Sequence, residues 1–325
     1  MTARHVFALN ATTEFGERVA SSLGTTLSPH EEREFEDSEH KIRPLTGVRG
    51  SDCFVIQSLH SGPDQPASEK LVRLLFFAGA LKQSGATSVT ALIPFLAYAR
   101  KDRRTKPRDP VATRLTAQLV EAAGIDHIVT LEIHNLMALE NAFRIPADNL
   151  SPYADFADHA LHFAGDAPLV VASPDPGGVK RAQVFREYLE WSLERDVGFA
   201  LLEKRRSGGE VSGTLFAGEV DGACAIILDD MIASGGTMVR AAETLRAHGA
   251  SKVAAYATHG LFTGGAAALF ETGKLDRILV TDSVPDFRLA EAHRVRIETV
   301  SIAPLFARAI EALSGQKSLT DLQIY

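Results

Sequence analysis

Three observations predict an α/β chain built as two tandem doubly wound domains with mainly parallel sheets. Short apolar runs such as Cys53 to Gln57 and Cys224 to Leu228 alternate with stretches of helical period throughout the 325 residues. A helix end, a glycine and a strand start recur in order, as Leu81-Lys-Gln-Ser-Gly-Ala-Thr-Ser-Val89 and Leu245-Arg-Ala-His-Gly-Ala-Ser-Lys-Val253. Each follows a Cys-initiated buried strand, so the chain reads as two copies of one unit. The length suits two cores, placed at residues 1–150 and 151–325, with the last helix expected to pack back on the N-terminal domain.

Element by element, Val6 to Leu9 reads as a strand and Glu14 to Leu23 as a helix. The acidic stretch Glu31 to His40 reads as a solvated loop or hairpin tip. Cys53 to Gln57 is a strand, Glu69 to Ser84 a helix, Val89 to Phe95 a strand, and Val111 to Ala123 a helix capped by Gly124. Ile128 to Ile133 is a strand, and the turn residues of Ile145 to Pro152 mark the domain boundary. In the second copy the strands are Leu169 to Ala172, Gly198 to Leu202, Cys224 to Leu228, Val253 to Thr258 and Ile278 to Thr281. Helices cover Gln183 to Leu193, the residues after Thr237, and Pro304 to Leu313, while Ser207 to Gly213 is a Gly/Ser-rich loop.

Composition narrows the function. A net charge of −7 argues against a general nucleic-acid binder, and 45% hydrophobic with 23% charged residues is ordinary for a globular protein. No signal peptide is visible, and no run approaches the ~18 apolar residues that span a bilayer, so a cytoplasmic protein is expected. Cys53 and Cys224 lie inside apolar runs, as core residues rather than a disulfide or metal pair.

The most informative stretch is Ala223 to Thr237, in which an apolar strand ends in Asp229-Asp230 and leads through Ala233-Ser234-Gly235-Gly236-Thr237 into a helix. A Gly-containing turn at a helix N-terminus makes an anion site, to which Ser234 and Thr237 add hydroxyls. Two carboxylates beside a phosphate cradle call for a ligand that brings hydroxyls or a metal, and a sugar phosphate with Mg²⁺ fits. Elsewhere, Arg100 to Arg108 is a basic segment after a buried strand, a handle for polyphosphate. Glu132 and His134, two apart at a strand end, are placed on one face as metal-proximal groups. Asp175-Pro176-Gly177-Gly178 is a turn able to present N–H groups to a diphosphate, and Lys204-Arg205-Arg206 stands beside the Gly/Ser loop. No P-loop or dinucleotide fingerprint is present.

The stretch from Asp229 to Thr237 resembles the 5-phosphoribosyl diphosphate (PRPP) binding motif shared by type I phosphoribosyltransferases and ribose-phosphate diphosphokinases. Further ordered matches select the second family: Phe35-Glu-Asp-Ser-Glu39, Val48-Arg-Gly50, Tyr98-Ala-Arg-Lys-Asp-Arg103, Leu131-Glu-Ile-His134, Ile145-Pro-Ala-Asp148, Ser173 to Arg181 and Glu203-Lys-Arg-Arg206. The resemblance implies a type I phosphoribosyltransferase-like fold in both domains, with ATP on the N-terminal side and the ribose phosphate on the other. It implies that Phe35, Asp37, Glu39, Arg100, Lys101, Asp102, Arg103 and His134 bind ATP. By the same resemblance, Asp175, Pro176, Gly177 and Gly178 hold the diphosphate. Asp229, Asp230, Ala233, Ser234, Gly235, Gly236 and Thr237 take ribose 5-phosphate, and Lys204 and Arg206 are catalytic. His134, Glu132 and Asp175 are the implied Mg²⁺ ligands. A homo-oligomer, dimer to hexamer, is implied by the family alone.

The implied reaction moves the diphosphoryl group of ATP to the C1 hydroxyl of ribose 5-phosphate. The chain departs from the family pattern at Ser38, Lys101, Glu132, Arg144 and Ala233-Ser234. Two other readings therefore stand beside the enzyme: a weakly active or regulatory paralogue, and a phosphoribosyltransferase.

Overall fold

A computed structural model describes residues 3–207 and 210–324 of the chain, the side chains of residues 204–214 excepted. The chain divides into two units, one running to Ser151 and completed by Ile302–Gln323, the other spanning Pro152–Ser301.

In the first unit, β1 (Arg4–Ala8) leads through a 3-10 turn into α1 (Thr13–Ser22), and β2 (His30–Glu34) and β3 (His40–Pro44) form a separate antiparallel hairpin. Next come β4 (Asp52–Ile56), α2 (Ala67–Gln83), β5 (Ser88–Ile93), α3 (Ala112–Ala122), β6 (His127–Leu131), α4 (Leu136–Ala142) and β7 (Ala147–Leu150). The sheet is parallel in the order β1-β4-β5-β6-β7. Alternation along its strands divides the core by face. Phe7, Val55 and Ala91 pack with Leu74, Phe77 and Val120, whereas Val6, Phe54, Leu92 and Val129 pack with α1 on the other side.

The second unit contains α5 (Tyr153–Ala164), β8 (Leu169–Ser173), α6 (Val179–Leu193), β9 (Gly198–Ser207), β10 (Glu210–Ala217), β11 (Cys224–Ile232) and α7 (Gly236–Ala247). It ends with β12 (Lys252–Gly260), α8 (Ala268–Glu271), β13 (Arg277–Thr281), α9 (Glu291–Arg294) and β14 (Glu298–Val300). Its sheet order is β10-β9-β8-β11-β12-β13-β14, parallel except for β9 with β10. Helix α10 (Ala303–Ser314) then lies on the first unit, where Phe306 meets Phe15 of α1 edge-on at 5.7 Å between ring centres.

The duplication is visible strand for strand, since β1-β4-β5-β6-β7 and β8-β11-β12-β13-β14 follow the same order. Gly85 and Gly249, which end α2 and α7, carry φ of 90° and 93°, the left-handed turn that a side chain resists. Cys53 and Cys224 are both fully buried, and burial pushes each thiol up to about 11.

Several expectations change. Residues 145–152 are not only a turn: Ala147–Leu150 is the edge strand β7, and Asp148 is held by His127 and Gln323, each at 2.6 Å. Its backbone ladder and these polar anchors replace the apolar alternation that its sequence lacks. Of the expected Gly/Ser-rich loop, Ser207 ends β9 and residues 210–213 belong to β10, which pairs antiparallel to β9 with a register shift between Val211 and Gly213, while residues 208 and 209 lie outside the described residues. Strand β6 stops at Leu131, and Glu132 takes φ 38°, so strand alternation does not reach Glu132 and His134. Glu132 is buried and His134 exposed, so the two do not share a face. Among the described residues, no helix is long and apolar enough to cross a membrane.

Candidate active site

The acid pair lies within β11 rather than after it, because Asp229, Met231 and Ile232 keep their register with β12. Asp230 is 2% exposed, and its amide donates to Asp229 Oδ1 at 2.9 Å. Arg181, in the first turn of α6, reaches both acids, with Nη1 3.3 Å from Asp229 Oδ1 and 3.4 Å from Asp230 Oδ1. One guanidinium faces two carboxylates. Burial first, then the charge of Asp230, push Asp229 up to about 8. Near neutral pH the pair therefore holds a shared proton and about one negative charge, which Arg181 faces, and its carboxyl oxygens are placed to accept from a ligand's hydroxyls.

After β11 the chain is pinned by its neighbours. The Ile232 carbonyl accepts from the Leu261 and Phe262 amides at 2.9 and 3.0 Å, and the Ala233 carbonyl accepts from Thr263 at 2.9 Å. Gly235 has φ 76°, and a Cβ there would stand 2.5 Å from Leu269 Cγ. It occupies the N-cap of α7 without a side-chain cap, so first-turn N–H groups face outward as an anion cradle. Ser234 is exposed and Thr237 half-buried at this end.

The 174–178 turn behaves differently from its expected role. Asp175 caps the turn, and its Oδ1 accepts from the Gly177 and Gly178 amides at 2.9 and 3.1 Å. Those two donors already serve Asp175, so in this arrangement they are not presented to a diphosphate. The second carboxylate oxygen of Asp175 suits a hard cation such as Mg²⁺. A Cβ at Gly178 would be 3.0 Å from Ser173 Oγ, which itself donates to the Asp175 carbonyl at 2.7 Å.

In the first unit, Phe35, Asp37 and Glu39 stand exposed at the β2–β3 tip. Asp37 Oδ1 accepts from the Glu39 amide at 3.2 Å, and Ser38 turns the chain at φ 69°. The Arg33 guanidinium lies 5.4 Å from the Phe35 ring centre. Arg100 and Arg103 are exposed, but Lys101 is tied to Asp109. Lys101, with the Thr105 hydroxyl and the Thr105 and Lys106 amides, holds the Asp109 carboxyl far below the usual range. Asp102 Oδ2 accepts from Asn135 Nδ2 at 2.6 Å, and Asn135 caps α4, so the basic loop is latched to the loop carrying Glu132 and His134. Among the described residues, no three His, Cys, Asp or Glu side chains gather as a metal centre. The side chains of Lys204 and Arg206 lie outside the described residues, on the backbone of β9.

A family profile for the N-terminal domain of ribose phosphate pyrophosphokinase matches residues 4–124, and one for the phosphoribosyl synthetase-associated domain matches residues 210–323. Ribose-phosphate pyrophosphokinase of Hyphomonas neptunium is 35% identical over 319 residues, covering 98% of each chain. The protein of the same name from Helicobacter hepaticus is 36% identical over 318 residues, again covering 98% of each. The crystal structure of phosphoribosylpyrophosphate synthetase from Mycobacterium smegmatis superposes with a TM-score of 0.85 at 32% identity, covering 97% of this chain and 100% of that one.

The chain belongs to the ribose-phosphate pyrophosphokinase family.

Its fold is accordingly α/β, type I phosphoribosyltransferase-like, and the comparisons give no support to the regulatory or phosphoribosyltransferase readings. Within this family member, three residues near the expected site went unassigned from sequence. Arg181 was legible only as part of a motif, and its bridge to both acids needed the α6–β11 packing. Asn135 carried a readable signal, an Asn directly before a short apolar helix, but its bond to Asp102 did not. Arg240, one turn into α7, places Nη2 3.4 Å from Thr237 Oγ1. The Lys101 departure is also clearer: its charge is matched by Asp109 rather than added to the loop.

Proposed function

We propose that the chain is a ribose-phosphate diphosphokinase that converts ATP and ribose 5-phosphate to PRPP and AMP. The observation that carries this is the β11–loop–α7 cradle with its acid pair, in a chain that matches ribose-phosphate pyrophosphokinases over nearly its whole length. The C1 oxygen of the sugar attacks Pβ of ATP, the bond from Pβ to the α,β-bridging oxygen breaks, AMP departs with that oxygen, and the C1 hydroxyl loses its proton. Such a transfer depends on positioning and charge stabilisation rather than on a covalent nucleophile.

In this reading Ser234 to Thr237 hold the 5-phosphate, with Ala233 shaping the entry to the loop. Asp229 and Asp230 accept hydrogen bonds from the ring hydroxyls, and their adjacent placement at the end of β11 beside Arg181 supports that role. Phe35, Asp37, Glu39, Arg100, Lys101, Asp102, Arg103 and His134 take ATP, and Lys204 and Arg206 steady charge on the transferring group. In the second unit Asp175 would hold Mg²⁺, in the first unit His134 would meet the metal carried by ATP, and such a cation would neutralise the polyphosphate; buried Glu132, which does not share a face with His134, is not placed for that role. A hard cation that takes the rest of its shell from phosphates and water needs no three-residue protein centre. Asp175 with the small residues Pro176, Gly177 and Gly178 then serves the diphosphate through that cation rather than through the two amides it already engages. A homo-oligomeric, cytoplasmic enzyme completes the proposal.

The test is steady-state formation of AMP and PRPP with varied Mg²⁺ and inorganic phosphate. No AMP under any combination sinks the reading. Lys204→Ala is expected to lower kcat by two orders of magnitude or more while ATP affinity changes little, and an equal loss in both would contradict a transition-state role.

A further inference from the structure

We propose that Arg240 is a further arm of the 5-phosphate subsite, a guanidinium that engages the anion held at the N-terminus of α7 and makes the phosphate group a condition of sugar binding. This rests on the ribose 5-phosphate reading of the same loop.

Side chains on a helix lean toward its N-terminus, so a residue one turn into α7 reaches back over the first turn. Arg240 does this, with Nη2 3.4 Å from Thr237 Oγ1. Its Nη1 sits where a Cβ on Gly236 would come within 3.2 Å. Its Nε is buried and has no hydrogen-bond partner among the described residues. Taken alone the arrangement is unfavourable. A cation at a helix N-terminus opposes the helix dipole, a buried N–H lacks an acceptor, and one long contact to a neutral hydroxyl offsets little. A phosphate dianion at the same helix end reverses each of these. It supplies the acceptors, aligns with the dipole and suits the planar fork of arginine.

Gly236 fits the same explanation. Its φ lies outside the left-handed region, so backbone freedom does not account for it, and its first neighbour is the Arg240 guanidinium. The absent side chain leaves the space that Arg240 occupies. Gly235 shapes the turn, and Gly236 admits the arginine.

The experiment is calorimetric titration of the full chain, as wild type, Arg240→Met and Arg240→Lys, with ribose 5-phosphate, unphosphorylated ribose and ATP. Arg240→Met is expected to weaken ribose 5-phosphate binding about 30-fold, the scale of a charge-assisted contact. Arg240→Lys should recover part of the loss, ribose should bind all three proteins equally weakly, and ATP binding should not change. Thermal midpoints should be maintained in both variants. If Arg240→Met binds ribose 5-phosphate as tightly as wild type, the inference is wrong. A uniform loss that includes ATP, with a lowered midpoint, also overturns it by showing a structural role. Wild type that binds ribose 5-phosphate no better than ribose overturns the parent reading of the loop instead.

Discussion

Replacing Gly235 by alanine tests the architecture of the cradle at its tightest point. The backbone there has φ 76°, which costs an L-residue about 1–2 kcal/mol. The new methyl would lie 2.5, 2.7 and 3.0 Å from Cγ, Cδ1 and Cδ2 of Leu269, which is 1% exposed and packed with Ala266 and Phe270. A buried leucine has little room to retreat, and overpacking of this kind costs about 1–3 kcal/mol. The sum, about 2–5 kcal/mol, is a large part of a typical domain's stability and corresponds to a fall of about 10 °C in the second unit's melting transition. Calorimetric melting of Gly235→Ala, with and without ribose 5-phosphate, measures both the fold and the cradle. The double variant Gly235→Ala/Leu269→Ala separates the two contributions, because removing the leucine relieves the clash but not the φ cost. The pair should couple by about 1 kcal/mol or more, so that the double variant is less damaged than the sum of the singles. Strict additivity, or a Gly235→Ala protein within 0.5 kcal/mol of wild type, would refute the reasoning.

Two other changes address single features. Ser38 turns the exposed β2–β3 tip at φ 69°, so Ser38→Gly should raise stability to urea by about 0.5–1 kcal/mol; a decrease would mean the serine side chain contributes at the tip. Asp229 is pushed up to about 8, so the folded state retains a proton that the unfolded chain gives up near pH 4. The associated stability is present in full below about pH 4 and is lost as pH rises toward about 8. Asp229→Asn should therefore flatten the decline in urea midpoint between pH 5 and pH 8. A variant that declines as steeply as wild type would remove Asp229 as the cause.

The features that could be read from the sequence were those in which local chemistry and pattern agree. Asp229 to Thr237 combines a doubly buried strand, two acids, a required glycine and a helix start, and the structure keeps that order while carrying β11 on to Ile232. The repeat around Gly85 and Gly249 was readable because a left-handed helix end leaves the same residue behind in both copies. Strand β7 was not readable, since a backbone ladder holds Ala-Asp-Asn-Leu without the apolar alternation that marks a strand, and β10 was hidden by its start, Glu210 to Gly213, which belongs to the run that reads as a loop. Helix α5 has Tyr153, Phe156, Ala157, Ala160 and Phe163 buried along one face, a helical spacing that starts directly after the turn residues of the domain boundary. The Glu132–His134 pairing failed for a different reason: two-residue spacing places side chains together only while the strand lasts, and φ 38° at Glu132 ends it.

The first copy differs from the second at the strand end for which the sugar-phosphate site is proposed. At the end of β4, where the equivalent strand β11 carries Asp229 and Asp230, the chain continues as Gln57-Ser58-Leu59-His60, and all four residues are buried. Thr12 donates to Gln57 Oε1 at 2.8 Å and accepts from the Ser58 amide at 3.1 Å. His60 lies 3.1 Å from Ser58 Oγ through Nδ1 and 3.1 Å from Lys70 Nζ through Nε2. Lys70 comes from the first turn of α2 and is 2% exposed. Side chains of the protein thus occupy the end of the sheet that the second copy leaves to a short Gly-Gly turn. Restoring an acid pair at residues 57 and 58 would set carboxylates into that hydrogen-bonded cluster rather than at an open helix end. The asymmetry between the copies therefore lies in how each one fills the end of its second strand, and not in the presence of the acids alone.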